Sequence, residues 1–197
     1  MIVTLTDVGV CYPRSGWVLR HFTFNIAEGD RVAIVGPSGS GKSTVLNVIA
    51  GGLAPTEGTV TRRCPRGVRV VNQTNAVLGR RTVADNVKVS VIAAHRSGID
   101  VDVDVDDALE SVGLGERARA PAATLSGGES QRLCIARSLI CAPTLVVADE
   151  PTGQLDARST DRVTSHLLAA PRNTAVVVAT HDPNVAARFD RVVDLGP

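Results

Sequence analysis

Val32-Ala-Ile-Val-Gly36-Pro-Ser-Gly-Ser-Gly41-Lys42-Ser43-Thr44 is the stretch that decides the fold class of this chain. Its first four residues form a short apolar run between the Glu28-Gly29-Asp30 turn and a glycine, which suits a strand buried on both faces of a parallel sheet. Val45, Leu46 and Ile49 then recur at helical spacing. Between strand and helix, Gly36 to Ser43 fits G-x-x-x-x-G-K-[ST] in the context that this pattern requires. Gly36, Gly39 and Gly41, with Ser38, Ser40 and Thr44 among them, let backbone N–H groups turn inward around phosphate oxygens, and the helix N-terminus adds partial positive charge. Lys42 is expected to reach the β and γ phosphates of a nucleotide and Ser43 to place its hydroxyl on Mg²⁺. Lysine occurs at only two positions, Lys42 and Lys88, against nineteen arginines, so a compact ammonium stands where the loop needs a point charge.

Working outward, Leu145 to Ala148 and Ala175 to Ala179 repeat the buried-strand signature, and Val68 to Val71 is strand-like. Helical patterns near 43–50, 130–141 and 157–169 alternate with them, which predicts an α/β fold with a parallel sheet. Residues 1–27 alternate apolar and polar around a Pro13 to Gly16 turn and predict antiparallel strands. Residues 74–124 read as a small, mainly helical lobe. Within it, Ile99 to Asp107 (IDVDVDVDD) fails as a calcium loop: with Asp102 at position one, Asp107 takes the turn glycine's place and Gly113 that of the bidentate glutamate. A solvated turn whose last aspartates start a helix at about Ala108 is expected instead.

Bulk properties bound the function. The 197 residues, 44% of them hydrophobic, suffice for one sizeable core but not for two nucleotide-binding domains, so 1–197 is expected to be a single domain. Twenty-one basic against 20 acidic residues give no global field for nucleic acid or an anionic membrane. Cys11, Cys64, Cys134 and Cys141 form no C-x-x-C pair, which argues against a zinc site or a disulfide framework and fits a reducing compartment. The first ten residues lack a signal-peptide pattern, and no run of 18 apolar residues occurs, so any membrane-spanning part is expected on another chain.

A phosphate loop alone leaves kinases, GTPases and many ATPases open, and the acidic partner narrows the choice. Leu145-Val-Val-Ala-Asp149-Glu150 delivers Asp149 to the end of a strand, where it is placed to hold Mg²⁺ directly or through water. Glu150 beside it is placed to orient and deprotonate a water, which is general-base work.

Leu125-Ser-Gly-Gly-Glu-Ser-Gln-Arg132 then resembles the signature motif of the ABC ATPase family. Read from residues alone, Ser126, Gly127 and Gly128 open a helix and so make a second anion-receptive N-terminus. The resemblance supplies a ligand, the γ-phosphate held by the opposite subunit. It also implies roles elsewhere. Tyr12 looks like the aromatic that stacks on adenine, with Trp17, or a core role for Tyr12, as rivals. Gln73 resembles the glutamine that contacts Mg²⁺ and the water, Asp156 an aspartate at the dimer interface, and His181 the switch histidine on the γ-phosphate. The implied fold is a P-loop ATPase core with a parallel sheet, an N-terminal antiparallel β region and a small helical subdomain. PSGSGKST, LSGGE and ADEPTGQLD are most similar to the group that includes lipoprotein-release, macrolide-export and cell-division ATPase subunits. The chain departs from the family in having only about fifteen residues between Gly58 and Gln73, and in ending soon after Val192 to Leu195 with no regulatory domain expected.

The resemblance implies an ATPase that closes as a head-to-tail homodimer or heterodimer on two MgATP and drives a membrane-spanning partner contacted by the loop of Gln73 and the 74–124 lobe. Such a subunit is cytoplasmic and peripheral on the inner face of the cell membrane. A soluble ABC ATPase acting on nucleic acid or the ribosome is the rival, kept open by Arg62, Arg63, Arg66 and Arg69, although no nucleic acid is expected. A monomeric nucleotide kinase leaves Ser126 and His181 without a role.

Overall fold

The computed structural model describes residues 1–14, 16–72 and 77–196. Gln73, named above, lies outside them. The chain opens with β1 (Val3–Tyr12) and β2 (Gly16–Ile26), which pair antiparallel from Val3 opposite Ile26 to Tyr12 opposite Gly16. β1 also pairs with β4 (Glu57–Arg62), so the small sheet runs β2-β1-β4. The parallel sheet is built from β3 (Arg31–Val35), β5 (Val68–Val71), β6 (Leu145–Asp149), β7 (Ala175–Ala179) and β8 (Arg191–Asp194), in the order β5-β6-β7-β3-β8. The three strands with unbroken apolar runs are its interior. The edges β5 and β8 carry exposed residues, which is why their sequences give weaker strand signals.

Both faces of this sheet are covered. On β6, Leu145 and Val147 pack with α1 (Lys42–Ala50) and the antiparallel sheet, while Val146 and Ala148 pack with α5 (Ala157–Leu168) and the short α6 (Pro183–Ala186). The period of two in a strand sends alternate residues to opposite layers, and each finds an apolar partner there. A third core lies among α2 (Val83–Arg96), α3 (Val105–Ser111) and α4 (Gly127–Leu139), around Val87, Leu109, Leu114 and Leu133. The helical lobe therefore shares α4 with the main body.

α3 begins at Val105, earlier than the expected start near Ala108. Asp104 is the reason: its Oδ1 accepts from the N–H groups of Asp106 and Asp107, which makes it the N-cap, with those two acids in the first turn. The aspartate run is thus a cap and a first helical turn. Among the described residues, no helix is long and apolar enough to cross a membrane.

Candidate active site: one cleft and a separate signature turn

Three neighbouring strands carry the chemistry to one rim of the sheet. β6, β7 and β3 are adjacent and parallel, and their carboxyl ends lead into Asp149-Glu150, Thr180-His181 and the Gly36–Gly41 loop respectively. This is where an open parallel sheet binds its ligands. A cleft of about 640 Å³ opens there, lined by Ser38, Gly39, Gly41, Lys42, Ser43, Thr44, Asp149, Glu150 and His181. Val18 of β2 is the further lining residue that the sequence reading missed. It reaches the cleft because β2 lies over the loop, with Val18 Cγ1 only 3.1 Å from where a Cβ on Gly41 would sit. Nothing local to Val18 signals this.

Each described α-helix after α1 has a side chain accepting at its N-cap: Thr82, Asp104, Ser126, Asp156 and Asp182 for α2 to α6. α1 starts at Gly41 with φ 93°, no side-chain cap and no acid in its first turn. Its orphan N–H groups therefore face the cleft with no acid of their own turn to compete for them, as an anion-binding terminus requires. A left-handed residue with Val18 against it admits only glycine readily.

Lys42 is buried, and its Nζ donates to the carbonyls of Gly36 (2.8 Å) and Pro37 (3.0 Å). Two of its three N–H bonds thus brace the loop, and the third remains for an acceptor outside it. Ser40 Oγ is buried without a hydrogen-bond partner, so the loop also holds a donor unmatched by protein. Tyr12 is half-buried against the first core, with its hydroxyl 3.3 Å from Thr44 Oγ1, which fixes the ring beside the loop. Trp17, its rival, is exposed with the Arg20 guanidinium over its ring.

Across the cleft, Glu150 has a left-handed φ of 44°, an uncommon state for a side-chain-bearing residue and costing about 1 kcal/mol or more. Its N–H donates to Ala179 O at 3.0 Å, which holds the turn in place. Its Oε2 lies 2.9 Å from Nδ1 of His181, and its side chain is 16% exposed against 68% for the imidazole. The carboxylate is sheltered and the histidine reaches outward.

Ser126, Gly127, Gly128 and Asp156 line no part of this cleft. They form a second constellation. Ser126 caps α4 in a reciprocal box, its Oγ accepting from Glu129 N (3.3 Å) while Glu129 Oε2 accepts from Ser126 N (2.8 Å). Gly128 lies against α5, where a Cβ would sit 3.1 Å from Ser159 Oγ. Ser159 in turn donates its N–H and Oγ to Asp156 (2.9 and 3.1 Å), and these bonds hold the Asp156 carboxyl below the usual range. The signature turn and Asp156 are thus neighbours on one surface, apart from the phosphate loop.

A family model described as ABC transporter matches residues 19–153, more than half of the chain. The chain belongs to the ABC transporter family, as an ATP-binding subunit. Among known ABC proteins, it is 40% identical to the lipoprotein-releasing system ATP-binding protein LolD of Legionella pneumophila (strain Lens), over 90% of this chain and 86% of that protein. The protein of the same name from Shewanella frigidimarina is 41% identical, over 88% of this chain and 80% of its own length. A solved structure of the ATP-binding cassette MJ0796, dimeric and in a post-hydrolysis state with ADP and Pi, superposes with a TM-score of 0.80 at 30% identity, covering 98% of this chain and 93% of that one. ABC membership makes the chain an ATPase with the fold that its motifs implied, and the LolD relatives belong to the group that the motifs resembled. Tyr12, Asp156 and His181 lie outside the matched range 19–153.

Proposed function

We propose that this ABC subunit binds MgATP with Gly36–Thr44 and hydrolyses it only when a second nucleotide-binding domain closes head to tail, each supplying its signature turn to the other's cleft. The observation that carries this is the separation within one chain: the cleft holds Lys42, Asp149, Glu150 and His181, while the second anion-receptive N-terminus at Ser126 opens elsewhere. A single chain offers the terminal phosphate half of its donors.

Within that reading, Lys42 and the α1 N–H groups bind the phosphates and Tyr12 offers its ring to the adenine. Ser43 and Asp149 bring hard oxygen donors to the same cleft, which fits Mg²⁺ held by one or two protein oxygens beside substrate phosphates. When bound, Mg²⁺ neutralises charge on the β and γ phosphates. Glu150, sheltered and aimed by His181, takes the proton of the attacking water, and His181 meets the γ-phosphate side through its other ring nitrogen. Gln73 is proposed to join the metal and the water. Asp156 stands beside the signature turn, where the second chain docks.

We place the subunit in the cytoplasm, on the inner face of the cell membrane, bound to a membrane-spanning partner. Val89 and Ile92, three apart on one side of α2 in the helical lobe, are 40% and 52% exposed, and an apolar pair facing outward is what a partner would cover. The double change Val89→Asp with Ile92→Asp is expected to abolish co-purification with the membrane chain and to leave ATP binding within about twofold. Retained co-purification moves the docking face elsewhere.

The signature turn has its own test. Aspartate caps a helix as well as serine does, so Ser126→Asp is expected to keep the chain within about 0.5 kcal/mol of its normal stability in urea unfolding. It puts an anion where the facing chain's γ-phosphate arrives, so ATP turnover should fall by a hundredfold or so. Turnover that survives in a chain of unchanged stability would favour a site complete within one subunit.

A further inference from the structure

The capping box at Ser126 creates an electrostatic problem that a nearby arginine is placed to solve. Glu129 strengthens α4 by accepting from Ser126 N–H, yet it sets a full negative charge in the first turn of the helix whose N-terminus is to receive a phosphate. The Ser126 N–H bond, aided by Arg117 and Arg132, holds the carboxyl below the usual carboxylate range, so the charge is permanent at neutral pH. Arg132 is buried, and its Nε is committed to Val112 O at 2.9 Å.

Arg117 is the cation paired with Glu129. It ends the 3₁₀ turn Gly115–Arg117, and its Nη2 donates to both the carbonyl and the hydroxyl of Thr124 (3.2 Å each), two residues before Ser126. Its Nε stands 3.9 Å from Glu129 Oε1, an ion-pair distance but too long for a hydrogen bond. That Nε is also buried with no hydrogen-bond partner, so the pair has a bond in reserve.

We propose that Arg117 is a positioning residue for ATP hydrolysis: standing beside Thr124, it offsets the charge of Glu129, which keeps the signature turn receptive to the terminal phosphate carried by the facing chain. This rests on the head-to-tail reading above. Arg117 touches no reacting atom in that arrangement. It acts through Glu129 on the field at the helix start, where the N–H groups and the serine hydroxyl meet the anion.

The test uses the full chain in a Glu150→Gln background and reads the ATP concentration giving half-maximal dimer. Arg117→Met is expected to raise that concentration about tenfold at low salt and less at high salt, since a charge effect is screened. Glu129→Gln keeps an oxygen for Ser126 N–H but removes the charge, so Arg117→Met with Glu129→Gln should return to within about twofold of the parent. Arg117→Lys, which keeps the charge without the fork onto Thr124, should stay near the parent and guards against a folding failure of the methionine variant. Failure of Glu129→Gln to rescue Arg117→Met, or a defect independent of salt, reduces Arg117 to a structural strap and overturns the inference. If the Glu150→Gln parent itself stays monomeric with ATP, the head-to-tail reading falls first and the role of Arg117 falls with it.

Discussion

Lys42→Ala is expected to lower ATP turnover by about a hundred- to a thousand-fold, or about 3–4 kcal/mol of transition-state stabilisation, the usual cost of removing a preorganised donor from developing negative charge. The geometry explains why the loss falls on both binding and chemistry. The ammonium braces the loop through Gly36 and Pro37 and keeps one N–H for the ligand, so its removal costs loop shape and charge together. Among the described residues that line the cleft, Lys42 is the only lysine or arginine, and Lys88 pairs with Asp85 on α2 in the helical lobe. A steady-state phosphate-release assay reads the effect. Turnover within tenfold of the parent would mean that the Gly36–Thr44 loop is not the phosphate site.

Glu150→Gln is expected to cut kcat by about 10²–10⁴-fold while leaving the apparent affinity for ATP within a few-fold, because it removes a general base and little else. Glutamine keeps the size of the side chain, an acceptor oxygen for His181 Nδ1 and the N–H bond to Ala179 O that fixes the turn. The backbone strain at φ 44° is carried by either residue, so the comparison isolates the proton acceptor. A fall in affinity matching the fall in kcat would instead assign Glu150 to binding.

What the sequence makes legible here is chemistry encoded in local turns and caps. Gly36 to Thr44 between a buried strand and a helix, Asp149 at a strand end and Ser126 before a helix each state their geometry in adjacent residues, and the fold has each in that place. Local rules also govern the start of α3, where Asp104 rather than a later aspartate proves to be the cap. Features that depend on distant pairing are silent in sequence. β4 and β8 are short and largely exposed, so their strand character comes from the neighbours they join. Val18 lines the cleft beside the Gly36–Gly41 loop only because β2 crosses that loop, and Arg117 meets Glu129 only because a 3₁₀ turn folds back onto the start of α4. The left-handed turn at Glu150, which aims the carboxylate at His181, is likewise set by the sheet rather than by its own residue type.

On the head-to-tail reading, this chain carries two halves of different sites, a phosphate cleft and a separate signature turn, and completes neither alone. The most direct test of that reading is the mass of the Glu150→Gln chain by size-exclusion chromatography with light scattering, in saturating MgATP and in ADP. Twice the monomer mass is expected with MgATP and monomer with ADP, with loss of the dimer when Ser126→Asp is added. A Glu150→Gln chain that binds ATP yet elutes as monomer under both conditions would contradict the head-to-tail reading.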